Sequence, residues 1–264
     1  MRWIGILGTL WLGVVNTASS QGILVSRSAV PPVDSFCQRF QQLYIQIREE
    51  SILPDSARKN FSDIMAGLRT KFRSAEPFRV DSARRDSLLQ RTPYFSFPLR
   101  GYSPDAIGGT HGEGYRGKGF DLFDYNVRGS HPAQDIFISD RNQDCLDDHT
   151  DQPVDVLAMT SGVVLGIETG WNAGQEYRGG NWIWIYDPLM DGLFYYAHNN
   201  VVSVRLGEWV QAGQKISEVG RSGYNAYKTR SPTHLHLMYL QLQPDGLPEP
   251  QNPYEWLLNA QTIN

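Results

Sequence analysis

Four of the six histidines, His131, His198, His234 and His236, stand in or beside apolar, strand-like runs. The run Thr233-His234-Leu235-His236-Leu237-Met238-Tyr239-Leu240 has the composition of a buried strand, yet it holds two imidazoles spaced two apart. Side chains on a strand alternate between faces, so His234 and His236 share one face and Leu235, Leu237 and Tyr239 the other. A single His-x-His pair is equally at home on a solvated face, so the rest of the sequence has to decide. His131 opens His131-Pro132-Ala133-Gln134-Asp135-Ile136-Phe137-Ile138, where Asp135 begins an apolar strand. A carboxylate there needs a partner, and a cation would supply one. Imidazole nitrogen and carboxylate oxygen are zinc donors, and a catalytic zinc site uses three protein ligands with a position left open. His131, Asp135 and one histidine of the paired strand make such a set, leaving His198 and the other strand histidine nearby and uncoordinated. His198 ends Phe194-Tyr195-Tyr196-Ala197-His198, where alternation puts Phe194, Tyr196 and His198 on one face. There is no His-Glu-x-x-His sequence, which excludes the helix-borne zinc-protease arrangement.

These residues need strands to hold them, and strands are what the second part of the chain predicts. Short runs at Asp135 to Ile138, Val154 to Met159, Gly162 to Glu168, Asn181 to Tyr186, Leu193 to Ala197 and Thr233 to Leu240 are separated by turn residues such as Gly179-Gly180 and Asp187-Pro188. The fold class expected is mainly β, an antiparallel sandwich or barrel-like sheet over 93–258. A helical close is expected at Tyr254 to Leu258, then a tail over 259–264. Upstream, Asp34-Ser35 offers N-cap side chains to an amphipathic helix through Phe36, Phe40, Leu43, Tyr44 and Ile47. Pro54-Asp55 starts a second, with Phe61, Ile64, Met65, Leu68 and Phe72 as its stripe. Asp81 to Gln90 reads as a third helical piece. Residues 21–92 are thus expected to form a small helical accessory region, and their position would allow them to act as a segment covering a groove.

The chain has 264 residues, 41% of them hydrophobic, ordinary globular material for one large domain or one domain with a smaller companion. A net charge of -4 gives no reason to expect a nucleic-acid or anionic-membrane partner. Met1-Arg2, an apolar run from Trp3 to Val15 and small residues up to Ser20 read as a secretory signal over 1–20. That run is shorter than the ~20 residues a membrane span needs, so no stable membrane insertion is expected once it is removed. An exported protein permits a disulfide, and Cys37 and Cys145 are the two cysteines available.

A His-x-x-x-Asp segment running into a strand, a later Tyr-x-His and a His-x-His strand near the C-terminus together resemble the lysostaphin-type (LytM/LasA-type) zinc endopeptidases, which act on the peptide part of bacterial peptidoglycan. The resemblance spans roughly Phe95 to Leu240. It includes the Phe97-Pro98-Leu99 run, the Ser161-Gly162-Val163-Val164 turn and the corner from Val210 to Gly220. It implies one zinc ion on His131, Asp135 and His236, with His198 and His234 as the uncoordinated catalytic pair. It also implies peptidoglycan peptides as substrate, zinc-bound water as nucleophile, and a periplasmic or extracellular setting. Two other readings accompany it: a catalytically silent family member that regulates another wall hydrolase, and an exported protease acting on glycine-rich proteins outside the wall.

The family usually has Thr-Gly-Pro directly before His-Leu-His. Here the longer loop Gly223 to Lys228 precedes Thr229-Arg230-Ser231-Pro232-Thr233, a change that would reshape a substrate groove. Asp140 to Asp148 alternates oxygen side chains like a calcium loop, but Cys145 stands where such a loop needs glycine and no glutamate closes it, so a solvated acidic loop is expected. His111 and His149 read as surface residues. Tyr125, Trp171, Tyr195, Tyr224 and Tyr227 are candidates to line a groove.

Overall fold

The computed structural model describes residues 29–76, 78–79, 86–87, 94–126 and 128–264. The expected signal over 1–20, and the third helical piece apart from Asp86 and Ser87, lie outside the described residues. Two helices come first, α1 (Asp34–Arg48) and α2 (Pro54–Arg73). The N-cap of α1 is Val33, without a side-chain cap. Asp34 is instead the first helical residue, where its charge meets the positive end of the helix dipole. Pro54 opens α2, where its fixed φ and missing N–H cost nothing.

The strands are β1 (Ala133–Phe137), β2 (Asp155–Leu157), β3 (Gly162–Ile167), β4 (Asn181–Asp187), β5 (Gly192–Val202), β6 (Trp209–Val210), β7 (Lys215–Val219), β8 (His234–Leu242) and β9 (Pro248–Gln251), followed by the short helix α3 (Tyr254–Leu258). They form one nine-stranded sheet, ordered β1-β8-β5-β4-β3-β6, with β9 beside β8 and β7 joining β2 to β5. Its paired strands run antiparallel, as the sequence predicts. Among the described residues no helix is long and apolar enough to cross a membrane.

The helices are not a separate body. Opposed residues of an antiparallel pair point to the same side. Register sets Asp135 opposite His236, Ala197 opposite His236, Tyr195 opposite Met238 and Trp184 opposite Tyr195. The indole of Trp184 therefore shares a sheet face with the histidine strand, and α1 docks on that face. Phe40 meets Trp184 at 6.0 Å between ring centroids, and Tyr44 meets Trp182 at 4.8 Å and Trp184 at 5.4 Å. One hydrophobic cluster runs from Phe40, Phe61 and Leu68 into Trp184, Tyr186 and Tyr196. Gln41 Nε2 donates to the Ile167 carbonyl at 2.8 Å and its Oε1 accepts from the Ile167 N–H at 2.7 Å, extending the β3 ladder into the helix. Arg48–Glu168 at 2.8 Å and Arg69–Asp191 at 2.9 Å pin the two helices to the strands.

Cys37 is buried and Cys145 half-buried, and both thiols are free. Burial pushes the Cys37 thiol up to about 12, reinforced by the Asp34 charge, so it behaves as a core side chain rather than a reactive thiolate.

Candidate metal centre

Three adjacent strands deliver the site. β1 carries Asp135, β8 carries His234 and His236 on one face, and β5 ends its pairing with β8 at Ala197, just before His198. His131 stands two residues ahead of β1, in a bridge to Arg116. Its Nε2 lies 3.2 Å from Asp135 Oδ2, and His236 Nδ1 lies 3.0 Å from Asp135 Oδ1. Ligand atoms of His131, Asp135 and His236 all fall within 4.8 Å of one another, the only such group of three among the described residues.

Hydrogen bonds settle which ring atoms face inward. His131 Nδ1–H donates to the Gly114 carbonyl at 2.8 Å, so the neutral ring turns its Nε2 lone pair to Asp135. A lone pair facing a carboxylate oxygen is unfavourable unless a cation lies between them, and this donor chemistry fits a zinc ion. Burial works against ionising Asp135, but with no cation between them protonated His131 and His236 rings would donate to it, which outweighs burial and holds the carboxyl far below the ordinary range. His131 is also buried, which disfavours its charged form, yet in the absence of a cation the hydrogen bond its charged form makes to Asp135, and the Asp135 charge, raise it above the usual imidazole value. Side-chain exposures of 21%, 26% and 18% for His131, Asp135 and His236 leave the cluster reachable from solvent.

The two other imidazoles stand alongside. The His198 ring is 4.9 Å from that of His234 and 5.5 Å from that of His236. His198 Nδ1–H donates to the Ser222 carbonyl at 2.8 Å, and His234 Nδ1–H to the Pro232 carbonyl at 2.7 Å. Each neutral ring therefore keeps its Nε2 lone pair, that of His234 lying 3.8 Å from Asp135 Oδ1. Burial, reinforced by His234 and His236, pushes His198 well below the usual imidazole range, which keeps it neutral.

Strand alternation alone misplaces His198. Phe194 and Tyr196 belong to the opposite face, where Phe194 packs on Tyr239 at 4.8 Å and the Tyr196 hydroxyl accepts the Met159 N–H at 2.9 Å. His198 would follow them away from the metal donors. Its backbone is instead left-handed, φ 67°, at the corner where β5 leaves β8 and pairs onward with β7 through Asn199 and Val202. That turn swings the ring to the site face. Left-handed backbone in a residue with a Cβ is a strained choice that tends to mark functional positions. Gly223 makes room for it: its φ is 109°, and a Cβ there would lie 2.3 Å from the Arg178 carbonyl and 2.9 Å from His198 Nδ1. Gly223→Ala is expected to keep bound zinc and lose about 10- to 100-fold in turnover by displacing His198. Metal analysis beside peptide-cleavage kinetics checks this, and unchanged turnover would remove Gly223 from the argument.

The remaining candidates separate. Tyr195 is buried within the site's wall, 6.4 Å from His236, 4.5 Å from Trp184 and 6.3 Å from Tyr44. Tyr224 and Tyr227 are exposed, with Lys228 over Tyr224 and Trp171 against Tyr227. The Tyr125 hydroxyl accepts the Arg178 N–H at 2.8 Å. His111 and His149 are exposed on loops. The acidic loop spends its carboxylates on its own turns: Asp140 accepts the N–H groups of Asp144 and Cys145, and Asp147 those of His149 and Thr150. The residues that sequence reasoning missed are those behind the rings, Gly114, Ser222 and Pro232. They act through backbone carbonyls, which leave no side-chain signature.

Residues 143–248 match Peptidase family M23. That stretch begins after His131 and Asp135, so those two donors are tied to the site by geometry. No curated protein matches the sequence. Among solved structures, the catalytic domain of the antimicrobial peptidase lysostaphin from Staphylococcus simulans is 24% identical, over 57% of this chain and 90% of that one, with a TM-score of 0.37. A putative glycyl-glycine endopeptidase lytM from Ruminococcus gnavus is 21% identical, over 90% of this chain and 95% of that one, with a TM-score of 0.43. A zinc-containing peptidase from Vibrio cholerae is 19% identical, over 55% and 36%, with a TM-score of 0.34. The stretch of the β domain from 143 to 248, which carries His198, His234 and His236, is thus similar in sequence to peptidase family M23.

Proposed function

We propose that this protein is an exported zinc metalloendopeptidase that hydrolyses peptide bonds in the stem or cross-link peptides of peptidoglycan. The observation that carries the reading is the pairing of a complete His-Asp-His donor set with two uncoordinated imidazoles of fixed tautomer at its edge. His131, Asp135 and His236 would hold the ion. Bound there, zinc supplies Lewis-acid polarisation of a carbonyl and makes water more acidic. The chain's own part is the proton traffic. A neutral His198 or His234 accepts the proton of the attacking water at Nε2, and the imidazolium so formed returns a proton to the leaving amine. Before it is passed on, the Nε2–H of that imidazolium would stabilise the charge that develops on the carbonyl oxygen as water adds.

The peptidoglycan substrate rests on the family and on the resemblance, and export rests on the pattern of residues 1–20. The protein purified without added metal is expected to hold about one equivalent of zinc, as the single three-donor group among the described residues implies. It should clear a peptidoglycan suspension, lose that activity to a chelator and regain it with zinc. A glycine-rich protein offered in parallel tests the reading in which the wall is not the substrate. Protein without metal and without clearing would point to the silent regulator.

A further inference from the structure

Both uncoordinated imidazoles take their tautomer from a backbone carbonyl, His198 from Ser222 and His234 from Pro232. Those carbonyls belong to different segments, the end of the strand β7 connection and the long loop that departs from the usual Thr-Gly-Pro. Something has to hold the two segments in register. We propose that Arg221 is the positioning residue that does so, acting through Thr233 and Asp140; this rests on the hydrolytic reading of the site.

Arg221 is 9% exposed, and its guanidinium spends its donors on the loop. Arg221 Nη1 donates to the Ser231 carbonyl at 2.7 Å and to Thr233 Oγ1 at 3.1 Å, and Nη2 donates to the Lys228 carbonyl at 3.0 Å. Ser231 and Thr233 flank Pro232. One nitrogen thus grips both neighbours of the residue whose carbonyl orients His234. Proline has no N–H, so the Ser231–Pro232 peptide ahead of it can be held only through the Ser231 carbonyl, which Arg221 takes. The hydroxyl of Thr233, a residue 1% exposed, donates a hydrogen bond to Asp140 Oδ2 at 2.6 Å, and Asp140 is fixed by the N–H groups of Asp144 and Cys145. At the other end, Ser222 follows Arg221 directly in the chain. Its Oγ donates to the Asn199 carbonyl at 2.7 Å and accepts the Asn181 N–H at 2.8 Å, while its own carbonyl holds His198.

The acidic loop and the long loop therefore meet at a buried polar network, whose ends are the two carbonyls that aim the two Nε2 lone pairs. A fork-shaped guanidinium reaches three acceptors at once where an ammonium would have to choose. Groups behind a reacting imidazole change rate without touching substrate, and their loss typically costs about 10- to 100-fold.

The test uses the full chain with Arg221→Met, Arg221→Lys, Thr233→Val and Thr233→Ser. Arg221→Met and Thr233→Val are expected to keep wild-type zinc content, lower kcat by about 10- to 100-fold and leave KM within about twofold. Thr233→Ser, which keeps the hydroxyl, should stay near wild type, and Arg221→Lys should fall between. Nitrogen NMR of the imidazoles in metal-free protein should show His198 and His234 leaving the single Nδ1–H tautomer in the first two variants. If Arg221→Met does not fold, Thr233→Val, which removes one hydroxyl at nearly constant volume, carries the test. Unchanged kcat with unchanged tautomers overturns the proposal, and so does loss of zinc in step with rate, which would make the network merely structural. Tautomer changes in a protein whose wild type cleaves nothing would sink the hydrolytic reading and leave the positioning role standing.

Discussion

His236→Ala is expected to abolish zinc binding and hydrolysis together, whereas His198→Ala keeps the metal and loses about 10²- to 10⁴-fold in rate. The difference follows from where each ring points. His236 turns Nδ1 to Asp135 at 3.0 Å, and without that ring the donor set falls to His131 and Asp135. Two ligands do not make a zinc site that keeps a position open for reaction. The His198 ring lies beyond that set, its Nδ1 bound to the Ser222 carbonyl, so its loss removes a proton acceptor and no ligand. Metal content by mass spectrometry and peptide cleavage, measured on the same preparations, separate the two roles. Full activity in His236→Ala, or loss of zinc in His198→Ala, would overturn the assignment.

Removing the helical region should destroy the fold rather than release activity. α1 and α2 lie on the same sheet face as the site, but over Trp182, Trp184 and Tyr186, beside the histidines and not on top of them. A chain lacking residues 21–92 would expose those indoles and leave Glu168 and Asp191 without Arg48 and Arg69. Phe40 is 1% exposed and in contact with Tyr44, Phe61 and Trp184. Phe40→Ala alone is expected to cost about 3–5 kcal/mol, lowering Tm by on the order of 10 °C. Thermal unfolding of the variant and solubility of the truncated chain are the measurements. A truncated protein that stays folded and hydrolyses faster would restore the idea of an inhibitory segment.

The amphipathic stripes of α1 and α2, the antiparallel strands and the shared face of His234 and His236 were all legible in the sequence, because each depends on a local period of 3.6 or 2. So were the candidate donors His131 and Asp135, conspicuous in or beside apolar runs, while the choice of His236 from the paired strand came from the resemblance and not from spacing. Three things were not. Where the helices dock depends on which sheet face has no other cover, and β4, buried at every position, shows no alternation to reveal it. The inward turn of His198 depends on a left-handed residue at the point where β5 changes partner, and strand period alone argues for the opposite face. The aim of the reactive rings depends on the Ser222 and Pro232 carbonyls, held by Arg221 from residues next to them in the chain and up to a dozen positions away. By itself the sequence determined which side chains could bind a cation and move a proton. Only the tertiary structure decided which nitrogen of each ring is free to do it, because a tautomer is set by the acceptor across the fold and not by the residue that carries the ring.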